Sequence, residues 1–145
     1  MLQNFSEAPS CIEVLGPGEL VLRQYDFVKQ AFDTQHSKMH KFDRVFGPEA
    51  SQADVFADIK DHVQAVLDGE SVCIFAYGQT GAGKTYTMEG DNRDGIIAKS
   101  VEHLFSQLEV LKAQNLLNDT PEIKMTCVEI YRNQIIDLFL KQNST

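Results

Sequence analysis

The run Gly78-Gln79-Thr80-Gly81-Ala82-Gly83-Lys84-Thr85 matches G-x-x-x-x-G-K-[ST] without a gap. No other stretch of the chain constrains its fold as strongly. Before it lies Val72-Cys73-Ile74-Phe75-Ala76-Tyr77, a continuous apolar run of the kind buried on both faces in a parallel sheet. After it, residues to about Met88 read as a short helical stretch. The pattern alone occurs by chance in many proteins, and its bland alternative is an ordinary Gly-rich turn between a strand and a helix. The flanking strand and helix are the context that turns it into a phosphate-binding loop.

The physical reason lies in the backbone. Gly78, Gly81 and Gly83 carry no Cβ, so the loop can wrap closely around an anion. Consecutive amides from about Gln79 through Thr80 and Ala82 to Thr85 are expected to point inward and form a nest for phosphate oxygens. The helix start adds partial positive charge. Lys84 supplies a mobile cation for the β- and γ-phosphates, and the Thr85 hydroxyl suits Mg²⁺. Tyr86 follows immediately, placed for its ring to lie beside a bound base; its bland alternative is packing.

The surrounding pattern is α/β. Ile12 to Leu15 and Leu20 to Leu22 flank Gly16-Pro17-Gly18-Glu19 and predict a hairpin. Residues 23 to 37 are ambiguous. Met39 to Phe46 alternates loosely and predicts a strand ended by Gly47-Pro48. Ser51 is placed as a helix N-cap with Asp54 three residues on. Val55, Ile59, Val63 and Val66 follow at helical spacing, and Asp68-Gly69 stops the helix. A polar loop from Glu89 to Gly95 precedes a second amphipathic helix marked by Ile97, Val101, Leu104, Phe105, Leu108 and Leu111. Asn118-Asp119-Thr120-Pro121 breaks the chain. Ile123 to Tyr131 predicts a strand, Asn133 a turn, and Ile135 to Leu140 another short strand. The predicted architecture is a central, mostly parallel sheet flanked by helices, of the P-loop NTPase type. The 145 residues read as one domain whose first ten residues carry no period and are expected to fray.

Composition removes several function classes. The formal net charge is −8. A nucleic-acid binder shows a basic patch or stripe, and the nearest thing here is the scatter His36, Lys38, His40, Lys41 and Arg44, read as a solvated strand edge. No apolar run approaches the roughly 20 residues of a membrane-spanning helix, so neither nucleic acid nor membrane is an expected partner. The N-terminus lacks the marks of a signal peptide. Cys73 and Cys127 sit in apolar runs and are expected to be buried, reduced thiols, which with Cys11 suits a cytosolic setting. The four histidines lack metal-ligand spacing, with His62 and His103 expected on helix surfaces. Asp91 to Gly95 lacks the chemistry of a calcium loop. Hydrolysis of a bound triphosphate needs a second carboxylate and groups that orient water. Asp137 is a weak candidate without the Gly that should follow, and its bland reading is a strand-end surface carboxylate. No catalytic residue is identified.

Taken together, these segments resemble a kinesin motor domain. Gly78 to Thr85 followed by Tyr86-Thr87-Met88 is similar to that family's phosphate loop and its continuation. Phe42-Asp43-Arg44-Val45-Phe46-Gly47-Pro48, with Ser51-Gln52 and Val55-Phe56, resembles its F-D-x-V-F segment and the helix after it. Gly95-Ile96-Ile97 resembles G-I-I-P-R, and Val128-Glu129-Ile130-Tyr131 resembles V-E-I-Y-N-E. The likeness covers about residues 11 to 140. Cys73-Ile74-Phe75-Ala76-Tyr77 resembles the wording of the class with a C-terminal motor that walks to the minus end.

The resemblance implies an ATP-driven motor that moves on microtubules, located in the cytoplasm on the cytoskeleton. It implies ATP and Mg²⁺ as cofactors, the residue at Tyr86 against adenine and the residue at Thr85 on the metal. Departures are visible too. The first core strand with its Arg-x-Arg-Pro segment is not recognisable before Cys11. Ala98-Lys99 replaces Pro-Arg, and Arg132-Asn133 replaces Asn-Glu. Neither family switch loop, N-x-x-S-S-R-S-H or D-L-A-G-S-E, is present, so the chain reads as the N-terminal part of a motor domain. Three functions stand open: part of a kinesin ATPase; a truncated, hydrolysis-dead nucleotide-binding or interaction module; and an unrelated phosphate-loop NTPase. Whether the chain itself is an enzyme stays open with them.

Overall fold

The computed structural model describes residues 10–26, 28–117 and 121–140. Strands and helices both occur, as the α/β reading requires. Three strands come first: β1 (Ile12–Gly16), β2 (Glu19–Asp26) and β3 (Ala31–Lys41). They form an antiparallel sheet in that order. Glu13 faces Val21 and Val14 faces Leu20 across the predicted hairpin, with a bulge before Gly16. The ambiguous stretch 23 to 37 resolves into the far half of β2 and the near half of β3, joined in register by Tyr25 opposite Phe32. Those two rings meet edge to face at 5.2 Å.

The strand expected over Met39 to Phe46 ends at Lys41. The reason is local. The Phe42 amide donates to the Gly18 carbonyl at 2.9 Å and the Val45 amide to the Pro17 carbonyl at 2.6 Å. The chain after β3 is therefore stitched onto the hairpin turn rather than continued along the ladder. The basic scatter from His36 to Arg44 lies on the outer strand and just beyond it, largely exposed, as expected of a solvated edge.

Helix α1 (Gln52–Ala65) begins where the N-cap signal places it. The Asp54 amide donates to Ser51 Oγ at 3.2 Å, and the Ser51 amide donates back to Asp54 Oδ2 at 2.8 Å. This reciprocal capping box satisfies donors that a helix start leaves orphaned. Its inward stripe is Gln52, Val55, Ile59 and Val63, with Val63 only 4% exposed. A 3-10 turn (Val66–Asp68) closes it, and Gly69 at φ 89° supplies the left-handed cap that ends the run at Asp68-Gly69.

Helix α2 (Lys84–Glu89) and helix α3 (Ile96–Ala113) match the two predicted helical stretches. Of the predicted face of α3, Leu104, Leu108 and Leu111 are half-buried, whereas Ile97, Val101 and Phe105 are exposed. Ile96 is the residue of this helix that is buried. Among the described residues no helix is long and apolar enough to cross a membrane.

The segment Val72 to Tyr77, expected as a central strand, joins no ladder among the described residues. Phe75 is 78% exposed and Tyr77 94% exposed. Strand geometry is held by hydrogen bonds to neighbours on either side, and the two sheets present are antiparallel and formed by other segments. What this run does touch is α1: Val72, Cys73, Ile74 and Phe75 line a shallow hollow with Ile59 and His62. The expected burial of Cys73 fails with the expected strand. Cys73 and Cys11 are exposed, Cys127 is half-buried, and none of the three is in a disulfide.

The chain divides into two compact units, one ending at His103 and the other beginning at Leu104. The second holds a hairpin of β4 (Val128–Tyr131) and β5 (Gln134–Asp137). Both strands are shorter than the runs Ile123 to Tyr131 and Ile135 to Leu140 predict. Arg132 and Asn133 both have positive φ, 46° and 63°, as a two-residue hairpin turn demands. The Leu138 amide closes the open end onto the Cys127 carbonyl at 2.8 Å. The expected chain break at Asn118 to Pro121 lies outside the described residues except for Pro121, and the expected fraying of residues 1 to 10 lies outside them except for Ser10.

Candidate phosphate-binding site

The loop from Gly78 to Thr85 leaves the apolar segment and enters α2 as its sequence predicts. Gly81 and Gly83 hold φ of 83° and 85°, a left-handed conformation that side-chain-bearing residues rarely adopt. A Cβ built on either would meet nothing within 4 Å, so these glycines serve the backbone path and an open cradle rather than tight packing. Gly83 is also the N-cap of α2.

The first hydrogen bond of α2 runs from the Thr87 amide to the Gly83 carbonyl at 2.9 Å. The amides of Lys84, Thr85 and Tyr86 are thus first-turn donors without an intrahelical acceptor. The Ala82 amide is different. It donates to the Gln79 carbonyl at 3.2 Å and is spent on the turn, so the row of inward amides expected from Gln79 to Thr85 is interrupted there.

Thr80, Gly81, Gly83, Lys84, Thr85 and Tyr86 line a concavity of about 370 Å³. Its lining offers backbone amides, two hydroxyls, a phenol and one ammonium, and none of these residues is acidic. Lys84 Nζ lies over the loop, donating to the Gly78 carbonyl at 2.9 Å and to the Gln79 carbonyl at 2.7 Å. The cation is thus parked on its own loop by oxygens that a phosphate can replace. Such a donor set fits a polyanion, and a hydroxyl at Thr85 fits one oxygen position in the shell of a hard cation. Tyr86 is 51% exposed, its ring open to a planar ligand.

Other sequence candidates fall away from this place. Asp137 Oδ1 accepts the Phe139 amide at 2.8 Å in a local turn, the strand-end role that was its bland reading. His62 is exposed as expected. His103 is half-buried instead: its Nε2 lies 2.9 Å from Gln64 Oε1 and its ring meets Phe56 edge-on at 6.2 Å. Among the described residues no three His, Cys, Asp or Glu side chains cluster to hold a metal ion.

One contact escaped the sequence reading. Gln52 Nε2 donates to the Tyr86 carbonyl at 2.6 Å, tying the start of α1 to α2. The available signal was its position on the α1 stripe, three residues before Val55 and seven before Ile59.

Comparison with known proteins agrees in family. The family model described as the kinesin motor domain matches residues 18–145. Kinesin-like protein KIN-14Q of Arabidopsis thaliana is 43% identical over 130 residues, which make up 89% of this chain and 10% of that protein. Kinesin-like protein KIN-14E of Oryza sativa subsp. japonica is 47% identical over 109 residues, 74% of this chain and 10% of that one. The chain therefore spans about a tenth of the length of these curated relatives. Among solved structures, the motor domain of the Kar3-like kinesin from Ashbya gossypii superposes with a TM-score of 0.68 at 32% identity. That match covers 97% of this chain and 43% of the other.

Proposed function

This chain belongs to the kinesin motor domain family, and on that premise we propose that it is the ATP-binding part of a microtubule motor. Its fold is the corresponding part of the α/β, P-loop NTPase fold of kinesin motor domains. We read residues 1–145 as the N-terminal part of such a domain, in which ATP hydrolysis drives movement along microtubules in the cytoplasm. The likeness to KIN-14 proteins supports placing it near the class with a C-terminal motor, the location that the name of a solved relative from Candida glabrata also gives.

The single observation that carries the reading is the concavity at Gly78 to Thr85, with first-turn amides and the Lys84 ammonium at one anion-sized place. Binding of a triphosphate proceeds by exchange. Lys84 gives up the Gly78 and Gln79 carbonyls and takes phosphate oxygens, and the amides from Lys84 to Tyr86 gain the acceptors that their helix does not supply. The helix start and the ammonium both favour the added negative charge. Thr85 is the residue that would contribute a hydroxyl to Mg²⁺, which supplies charge neutralisation between phosphates when bound. Tyr86 would offer its ring to adenine.

A second reading is favoured by the segment Val72 to Tyr77, which joins no ladder among the described residues and is exposed apart from the half-buried Ile74. One leg of the phosphate loop then lacks a ladder to brace it, which suits a chain that holds nucleotide without turning it over. Titration of the full chain with a fluorescent ATP analogue, followed by ATP turnover with and without microtubules, tests both. Saturable, Mg²⁺-dependent binding is expected. Microtubule-stimulated turnover would favour the complete enzymatic reading, and binding without turnover the second. Absence of binding would remove both.

A further inference from the structure

Gln52 is a buried polar residue, 8% exposed, on a helix stripe that is otherwise apolar. Burying an amide is costly unless it is hydrogen-bonded, and this one is bonded: its Nε2 donates to the Tyr86 carbonyl at 2.6 Å across 34 residues of sequence. The same carbonyl receives the Gly90 amide at 2.9 Å, the bond that closes α2. Helix α2 has six residues. A helix that short has little stability of its own, so its placement depends on what grips it. Lys84 and Thr85 sit on its first turn, next to Tyr86. Gln52 in turn lies inside the Ser51–Asp54 capping box, whose reciprocal bonds fix the helix start around it.

We infer that Gln52 is a positioning residue for the phosphate loop: through the Tyr86 carbonyl it fixes α2, and with it the place where Lys84 and Thr85 meet a nucleotide. This rests on the phosphate-binding reading of the loop. Gln52 touches no reacting group and acts only through α2. A purely space-filling role would be served equally by an apolar side chain of the same length.

The test uses the full chain with Gln52→Met, Gln52→Glu and Lys84→Ala, measuring melting temperature and affinity for a fluorescent ATP analogue. Gln52→Met keeps the volume and loses the donor, so affinity is expected to fall roughly threefold to tenfold, the scale of one hydrogen bond, while the melt changes little. Gln52→Glu donates only when protonated. Its affinity relative to wild type is expected to fall at about pH 8 and to recover towards about pH 5, since a buried carboxyl titrates above its ordinary range. Asp54, two residues on and held below the ordinary aspartate range by Ser51, stays ionised throughout that window. Wild-type affinity in Gln52→Met, or a Gln52→Glu deficit that ignores pH, overturns the inference and leaves the phosphate-loop reading intact. A wild type that binds no nucleotide, or a Lys84→Ala variant that binds as well as wild type, strikes the phosphate-loop reading first and this inference with it.

Discussion

Lys84 Nζ and the Gln79 carbonyl stand 2.7 Å apart, so the cation of the phosphate loop is bonded to the loop that presents it. With the second bond, to the adjacent Gly78 carbonyl, it ties the end of the loop back to its start. The ammonium is held near the concavity before any ligand arrives, and a phosphate must outbid two neutral carbonyls to claim it. The ammonium already makes both carbonyl bonds charge-assisted, and a phosphate acceptor adds the attraction of an opposite charge.

That arrangement predicts the outcome of Lys84→Ala. Loss of one charge-assisted contact weakens ATP binding by about 10- to 100-fold, on the scale of a hydrogen bond to a charged group. Folding is spared, because the carbonyls released belong to exposed loop residues that water can solvate. Fluorescence titration and a thermal melt on the same sample check both halves. Unchanged affinity removes Lys84 from the ligand set.

Acid should loosen the start of α1. Hydrogen bonds from the Ser51 side chain and then from its amide hold the Asp54 carboxyl below the ordinary aspartate range. A carboxylate with a lowered folded-state pKa contributes stability that is fully present above the unfolded value and is lost as pH falls through the folded one. Wild type is therefore expected to melt higher than Asp54→Asn near neutral pH, with the gap closing as pH drops towards about pH 2. Circular dichroism melts of the pair across that range measure it. A gap that stays constant in acid would show that the capping box contributes through geometry and not through charge.

What was legible in the sequence was mostly what is settled within a few residues. The Ser51 N-cap, the Gly69 stop, the Asn133 turn and the short helix that follows the phosphate loop each depend on short-range backbone chemistry, and each appears within a residue or two of its expected place. Elements that need a distant partner were read less well. Val72 to Tyr77 has the composition of a buried strand, but composition cannot supply the neighbours that make a ladder. Met39 to Phe46 lost its second half to a competing pair of bonds from Phe42 and Val45 to the hairpin turn. Gln52 was missed for the opposite reason. A glutamine early in a helix reads as surface, and only its spacing from Val55, Ile59 and Val63 places it inside.

The exposed apolar surface predicts behaviour in solution. Phe75 and Tyr77 are open, and large apolar patches of this sort promote association. The isolated chain is expected to bind a hydrophobic dye and to self-associate as concentration rises. Phe75→Lys should reduce both without lowering the melting temperature, since the side chain it replaces is mostly in water already. Light scattering and dye fluorescence on the two proteins decide the matter; a monodisperse wild type that ignores the dye is the contrary result.

Thiol chemistry offers a ruler for the same segment. Cys11 and Cys73 are exposed and Cys127 is half-buried. A native-state reaction with an aromatic disulfide reagent should show two fast thiols and one slower, all three becoming equal in denaturant. Cys73→Ser should remove one fast phase and leave the other. Had Val72 to Tyr77 been buried on both faces, Cys73 would react only on opening, slowed by the free energy of that opening. Reaction of Cys73 at the rate of a small free thiol therefore reports an uncovered segment directly. Protection of Cys73 in the full chain would mean that this run is covered in solution, and the aggregation expected from Phe75 and Tyr77 should then vanish with it.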